Sequence, residues 1–270
     1  MALVDDRGAA EVANSYDALA PHYDAFTEHP NYGTWVRSLE ALARRHGLSG
    51  RRVLDLGCGT GSSLLPLLEL GYEVVGCDVS PGMLKHAASK LPADVPLLVA
   101  DMRELPELGL FDLIWAVNDG LNYLRDADDL RRTFLGAAGC LRSGGILLFD
   151  VNTLAAYATL FAATRIRESE ALFMAWVGSG DETPRAGQLA EARLEVFERD
   201  ALAGAWRRST SHHRQRHHPL AEIVDALTTA GLRMLAVHGL TEDAVIDETV
   251  DEHRHSKAIL VATQDHRERR

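Results

Sequence analysis

The chain has 270 residues, 46% hydrophobic and 25% charged, which suits one large soluble domain or one domain carrying an insertion. Its formal net charge of −11 disfavours a phosphate-backbone partner, so nucleic acid is not expected. The apolar runs are too short for a membrane span, the first residues lack the basic-then-apolar order of a secretory signal, and Cys58, Cys77 and Cys140 read as reduced thiols of a cytoplasmic protein.

Residues 1–13 read as a loose polar start. Ser15 to Asp24 follows, with Tyr16-Asp17 and Tyr23-Asp24 seven residues apart and so on one helical face. Pro21 between them predicts two short helical pieces rather than one helix. By itself this stretch leaves open whether the tyrosines are more than packing residues. Residues 33–46 carry an apolar stripe of Val36, Leu39, Leu42 and Ala43, and Gly47 stands where a helix C-cap belongs. Val53 to Leu56 is a short buried strand that runs into Gly57-Cys58-Gly59-Thr60-Gly61 and a helix from Ser62. Glycine at alternate positions lets the backbone turn tightly and approach a ligand, and the helix start offers unpaired N–H groups.

Gly71 to Asp78 is a second strand ending in an acid. Ser80-Pro81 then starts a helix, with Ser as N-cap and Pro at its first position. Residues 96–100, 111–117 and 146–151 are three further strands, followed by Asp101-Met102, Asn118-Asp119 and Asn152. A helix over 127–142 precedes the last of them. Strands that are apolar throughout and alternate with helices predict a parallel sheet covered on both faces. Ligands collect at the carboxyl ends of such strands, where Asp78, Asp101, Asn118, Asp119 and Asn152 fall.

The pattern changes after residue 152. Residues 153–164 read as helical, and three β-like runs follow over 171–177, 189–197 and about 205–216, separated by turn-rich loops that imply an antiparallel sheet. A helix over 219–231 and strands over 232–238 and 257–263 restore the first pattern. The expected fold is therefore an α/β, Rossmann-like, doubly wound, mostly parallel seven-stranded sheet with helices on both faces and a β-rich insertion after the fifth strand. The expected boundaries are a helical lid over 1–46, an α/β domain over 47–152 and 219–264, and the insertion over 153–218. The tail from Gln264 reads as frayed.

The spacing of Gly57, Gly59 and Gly61 is G-x-G-x-G rather than the dinucleotide pattern G-x-G-x-x-G. Asp55 precedes the turn, where a carboxylate would repel a pyrophosphate but attract an ammonium group. Both features argue against a nicotinamide oxidoreductase. At these residues the chain resembles the class I S-adenosylmethionine-dependent methyltransferases, in their small-molecule branch. Asp55 to Gly61 is similar to that family's first motif, Asp78 to its ribose-binding acid, and Asp101-Met102 to its adenine motif. Asn118-Asp119 stands where the family lines its transfer site, Leu141 to Ile146 is similar to the turn before its fifth strand, and Tyr16 to Asp24 resembles its lid.

The resemblance implies S-adenosylmethionine as cofactor, S-adenosylhomocysteine as product, and cofactor-binding roles for Tyr16, Tyr23, Asp55, Gly57, Cys58, Gly59, Gly61, Asp78, Val79, Met83, Asp101, Met102 and Asn118. It also implies a small-molecule acceptor, as in natural-product or metabolite chemistry. An amine acceptor needs only to be unprotonated, whereas a hydroxyl acceptor needs a general base. Candidate bases are Asp119, His213 and His22, with His217 beside them. On a strand His213, Gln215 and His217 share one face, which either looks into the site or is a solvated strand end. No His/Cys spacing matches a metal site. Tyr157, Phe161, Phe173, Met174, Trp176, Phe197 and Trp206 either line an apolar acceptor pocket or form the insertion's own core or a homodimer contact. A protein that binds the cofactor without transferring its methyl group is the rival reading, because fold does not fix function.

Overall fold

A computed structural model of the chain describes residues 7–27, 32–200 and 204–264. The start of the chain over 1–6, residues 28–31 of the expected lid, residues 201–203 and the tail over 265–270 lie outside the described residues.

The described residues begin with α1 (Arg7–Leu19), so the part of the expected loose start from Arg7 onward is helix. A single 3-10 turn over Ala20–His22, with Pro21 inside it, separates α1 from α2 (Tyr23–Thr27). This is the break that the ring of Pro21 demands, since it removes an N–H and fixes φ. Next come α3 (Tyr32–Arg45), β1 (Arg52–Leu56), α4 (Leu64–Glu69), β2 (Glu73–Asp78), α5 (Pro81–Lys90), β3 (Leu97–Val99), β4 (Phe111–Ala116), α6 (Ala127–Cys140) and β5 (Leu141–Asn152). After α7 (Leu154–Ala156) the insertion contributes β6 (Thr164–Glu168), β7 (Leu172–Gly178), β8 (Leu189–Arg199) and β9 (Trp206–Arg216). The chain closes with α8 (Leu220–Thr229), β10 (Leu232–Leu240), β11 (Ile246–Asp247) and β12 (Lys257–Gln264).

The main sheet runs β11-β10-β12-β5-β4-β1-β2-β3. The first five strands are parallel, and β12 lies antiparallel between β5 and β10. The seven expected strands are all there; the eighth, β11, is a two-residue edge paired with the end of β10. Neighbouring residues feed opposite cores, as the pleat requires. Leu54, Ile114 and Phe149 pack under α6 and α8, while Val53, Leu113, Trp115 and Leu148 pack under α3, α4 and α5. The strand order reverses between β1 and β4, where an open α/β sheet leaves a crevice at its carboxyl edge.

The insertion is a four-stranded antiparallel sheet, β6-β7-β8-β9. Strand β6 was not expected. Its five residues are all exposed, so it carries no burial pattern of its own. The helix expected over 153–164 is reduced to α7 and one wide turn over Tyr157–Phe161. The aromatic residues divide by face. Tyr157, Phe161, Met174 and Trp176 join Leu194 and Val196 in a core shared with Leu19 of α1. Phe173 and Phe197 make an edge-to-face pair, paired across β7 and β8 and only partly buried, and Trp206 is half exposed. Most of these side chains therefore build the insertion itself, and Trp176 alone among those seven also reaches a cavity wall.

Candidate active site

The glycine turn is held by backbone before any ligand is considered. Gly57 and Cys58 donate N–H bonds to the carbonyl of Cys77 at 2.8 and 3.0 Å. Gly57, Gly59 and Gly61 have φ of +74°, +54° and +75°, in the left-handed region that a Cβ disfavours. Gly57 and Gly59 face a cavity, with Met102 and Tyr23 as their nearest side chains. Gly61 faces the other way. A Cβ there would stand 2.8 Å from Leu91 Cδ1 and 3.2 Å from Ala87 Cβ, so this glycine serves the packing of α5 and is absent from the cavity wall.

Asp78, at the end of β2, accepts from Gly59 N–H at 2.8 Å on one oxygen and from Ser80 N–H at 2.8 Å on the other. Burial pushes its carboxyl up from the usual carboxylate range, and the N–H groups of Ser80, Gly59 and Val79 pull it back. Ser80 caps α5 as expected, accepting from Met83 N–H at 3.0 Å. Asp55 departs from its expected place. It is fully buried beneath the turn, receives the Ser63 hydroxyl, and lies outside the cavity wall. Burial pushes its carboxyl up to about 7, with the Ser63 bond opposing.

Each Tyr-Asp pair splits its labour. Tyr16 and Tyr23 turn into the cavity, and the two acids fasten the helices outside it. Asp17 accepts from Ser80 Oγ at 2.5 Å and from Gly82 N–H at 2.7 Å. Asp24 accepts from Thr60 Oγ at 2.5 Å and from Lys90 Nζ at 2.6 Å. The helices thus roof the glycine turn.

Two chambers lie under this roof. The first is lined by Gly57, Cys58, Gly59, Asp78, Val79, Met83, Asp101, Met102 and Asn118, all expected there. The carboxylate of Asp101 is tied to Arg103 at 2.7 Å, and Arg103 also reaches Asp129 at 3.2 Å. The second chamber holds Asp119, Trp176, His213, Gln215 and Lys257. Tyr16, Tyr23, Tyr32, Asn118 and Tyr123 line both and form the wall between them. Tyr32 and Tyr123 lacked any motif to mark them.

Asn118 and Asp119 have φ of +65° and +54°, uncommon for residues with a side chain. Buried Asp150 holds them there, accepting from their N–H groups at 2.9 and 2.6 Å. Asp119 in turn accepts from Lys257 Nζ at 2.5 Å and from Gln215 Nε2 at 2.6 Å. Along β9 the alternation is the expected one, with His213 and Gln215 buried and His212 and Arg214 exposed; Arg216 is half-buried, and His217, buried, lies one residue past the strand. His213 Nδ1 lies 2.8 Å from the Tyr123 hydroxyl, and Nε2 lies 3.0 Å from Ser211 Oγ. Burial pushes the His213 imidazole down to about 4, so it is neutral at pH 7. His217 packs away from the chamber, against Tyr157 and Glu252. His22 is also outside both walls; its Nε2 lies 3.9 Å from Glu198 Oε2 on the insertion.

Residues 53–145, from β1 into β5, match the methyltransferase domain family. Over 235 residues the chain is 31% identical to a Bacillus subtilis protein named "Putative methyltransferase YqeM", covering 84% of this chain and 89% of that one. A solved S-adenosylmethionine-dependent methyltransferase from Clostridium acetobutylicum ATCC 824 superposes with a TM-score of 0.75 at 22% identity, covering 92% of this chain and 98% of that one. The sugar N-methyltransferase KedS8 from Streptoalloteichus sp ATCC 53650 superposes with a TM-score of 0.69 at 23% identity, covering 90% of each chain. Identity at this level over most of both chains shows that the chain belongs to the class I S-adenosylmethionine-dependent methyltransferases, and S-adenosylmethionine is its cofactor.

Proposed function

We propose that this enzyme moves a methyl group to the amine nitrogen of a small natural-product or metabolite acceptor held in the second chamber. The observation that carries this reading is the shared wall of Tyr16, Tyr23, Tyr32, Asn118 and Tyr123, which stands between the chamber at the glycine turn and a second one. The first chamber suits the cofactor on chemical grounds. Gly57 and Gly59 leave the backbone open to it, and each Asp78 oxygen already orders one backbone N–H while keeping a lone pair free for a vicinal diol. Met83 and Met102 offer soft contact to an aromatic ring.

When bound, S-adenosylmethionine supplies a methyl group on a cationic sulfur. The residues around it have to exclude water and align the acceptor. Tyr16, Tyr23, Tyr32 and Tyr123 line the wall between the chambers, and aromatic rings attract a cation by their faces. Asp119 offers a carboxylate to an acceptor N–H. Asp119 is already bonded to Lys257 and Gln215, and His213 is held neutral with a depressed basicity. Neither is arranged as a strong base for a hydroxyl, whereas an amine requires none. KedS8, by its name, acts on a sugar nitrogen, and the amine reading accords with that.

Cys58, Cys77 and Cys140 are free and buried, which fits the reducing cytoplasm. Among the described residues no helix is long and apolar enough to cross a membrane. The test is a panel of amino sugars, other primary and secondary amines, and matched alcohols, incubated with methyl-labelled S-adenosylmethionine. Transfer to amines is expected. Transfer to alcohols alone would overturn the amine assignment, and transfer to neither would overturn the small-molecule reading.

A further inference from the structure

We infer that Lys257 is a positioning residue for methyl transfer: with Asp150 it forms a buried bracket that holds the Asn118-Asp119 turn and aims Asp119 into the acceptor chamber. This rests on the methyltransferase reading and adds two residues to it.

The bracket begins with the backbone. Two consecutive residues sit at positive φ, a region that Asn and Asp tolerate better than other residues with a side chain but that two in a row seldom share without support. Asp150 supplies that support, because both N–H groups point at its carboxylate, one at each oxygen. Yet Asp150 lies in the apolar run Phe149-Asp150-Val151 and is wholly buried, an environment that opposes its charge. Lys257 compensates. Its ammonium lies 3.1 Å from Asp150 and 2.5 Å from Asp119, so one cation serves the acid that holds the turn and the acid that the turn presents.

Lys257 reaches this point because β12 lies beside β5 with Lys257 opposite Asn152, two residues beyond Asp150. It is one of only three lysines in a chain whose other basic side chains are arginines, and it lines the acceptor chamber. A compact ammonium on a flexible stem fits between two carboxylates from different elements, where a planar guanidinium is less readily placed. The other polar neighbour is Gln215, which binds the second oxygen of Asp119 and leaves the ammonium as the sole charged partner of both acids among the described residues.

Without the ammonium, the two carboxylates face each other and the turn loses its clamp. Of the residues assigned to the cofactor, Gly59, Asp78 and Met83 lie on other elements and Asn118 sits on this turn, so cofactor affinity should fall far less than turnover. Lys257→Met is therefore expected to lower acceptor kcat/KM by about 100-fold, as for a buried pair broken on one side. Its affinity for S-adenosylmethionine, measured by calorimetry, should stay within about threefold. Lys257→Arg keeps the charge and is expected to recover at least about tenfold of the loss. If Lys257→Met does not fold, Lys257→Gln, which keeps a donor, carries the same comparison. Turnover within about threefold of wild type would overturn the proposal, as would a loss of cofactor affinity equal to the loss of turnover. If the wild-type enzyme methylates no amine in the panel, the acceptor assignment fails by itself. The bracket is then decided by amide hydrogen exchange at Asn118 and Asp119. Exchange faster by about tenfold or more in Lys257→Met supports it, and unchanged exchange overturns it.

Discussion

Asp78→Ala is expected to lower the affinity for S-adenosylmethionine by at least about 100-fold, because two charge-assisted hydrogen bonds of about 1.5–3 kcal/mol each are removed together. The same carboxylate also accepts from Gly59 and Ser80, so its loss loosens the turn that carries the methionine end of the cofactor. Asp78 lies at the carboxyl end of β2, outside the apolar clusters of the sheet, so the variant should keep its fold. Calorimetric titration with S-adenosylmethionine, beside a circular dichroism spectrum, reads both effects. Wild-type affinity in a folded Asp78→Ala protein would show that the ribose is bound elsewhere.

The second large effect is expected in the other chamber. Asp119→Asn should lower acceptor kcat/KM by about 10- to 100-fold through loss of one hydrogen bond to a charged group. Asparagine tolerates the left-handed conformation, so the backbone at φ +54° is not the source of the loss. Asp150 and Lys257 still pair in this variant. Cofactor affinity should not change, since Asp119 lines the second chamber and not the first. Steady-state kinetics with the preferred amine checks this prediction, and an unchanged kcat/KM would mean that the acceptor does not meet Asp119.

Much of the cofactor side was legible in the sequence, because the residues that shape it are local. Gly57 to Gly61, Asp78 and Met102 each stand at the end of an apolar strand, and strand ends are readable from periodicity. Gly61 and Asp55 mark the limit of that logic. Both belong to the motif, but one faces α5 and the other lies beneath the turn, and spacing does not say which way a side chain points. Strand β6 escaped notice because an exposed edge needs no apolar alternation.

The acceptor side was less legible because it is assembled from distant segments. Lys257 and Asp119 are 138 residues apart, and Tyr123 meets His213 across 90. One signal was available. Asp150 interrupts an apolar strand, and a carboxylate in such a place requires a partner. His22 is a candidate base by residue type alone, and the turn at Pro21 directs it to the rim of the insertion instead.

On this reading the methyl group crosses the wall between the two chambers. In a crystal structure of the enzyme with S-adenosylhomocysteine, the ribose hydroxyls should lie on Asp78, the homocysteine chain along Gly57 and Gly59, and the sulfur against the wall of Tyr16, Asn118 and Tyr123, facing Asp119 and Lys257. A nucleoside seated in the second chamber, or a sulfur turned away from that wall, would contradict it.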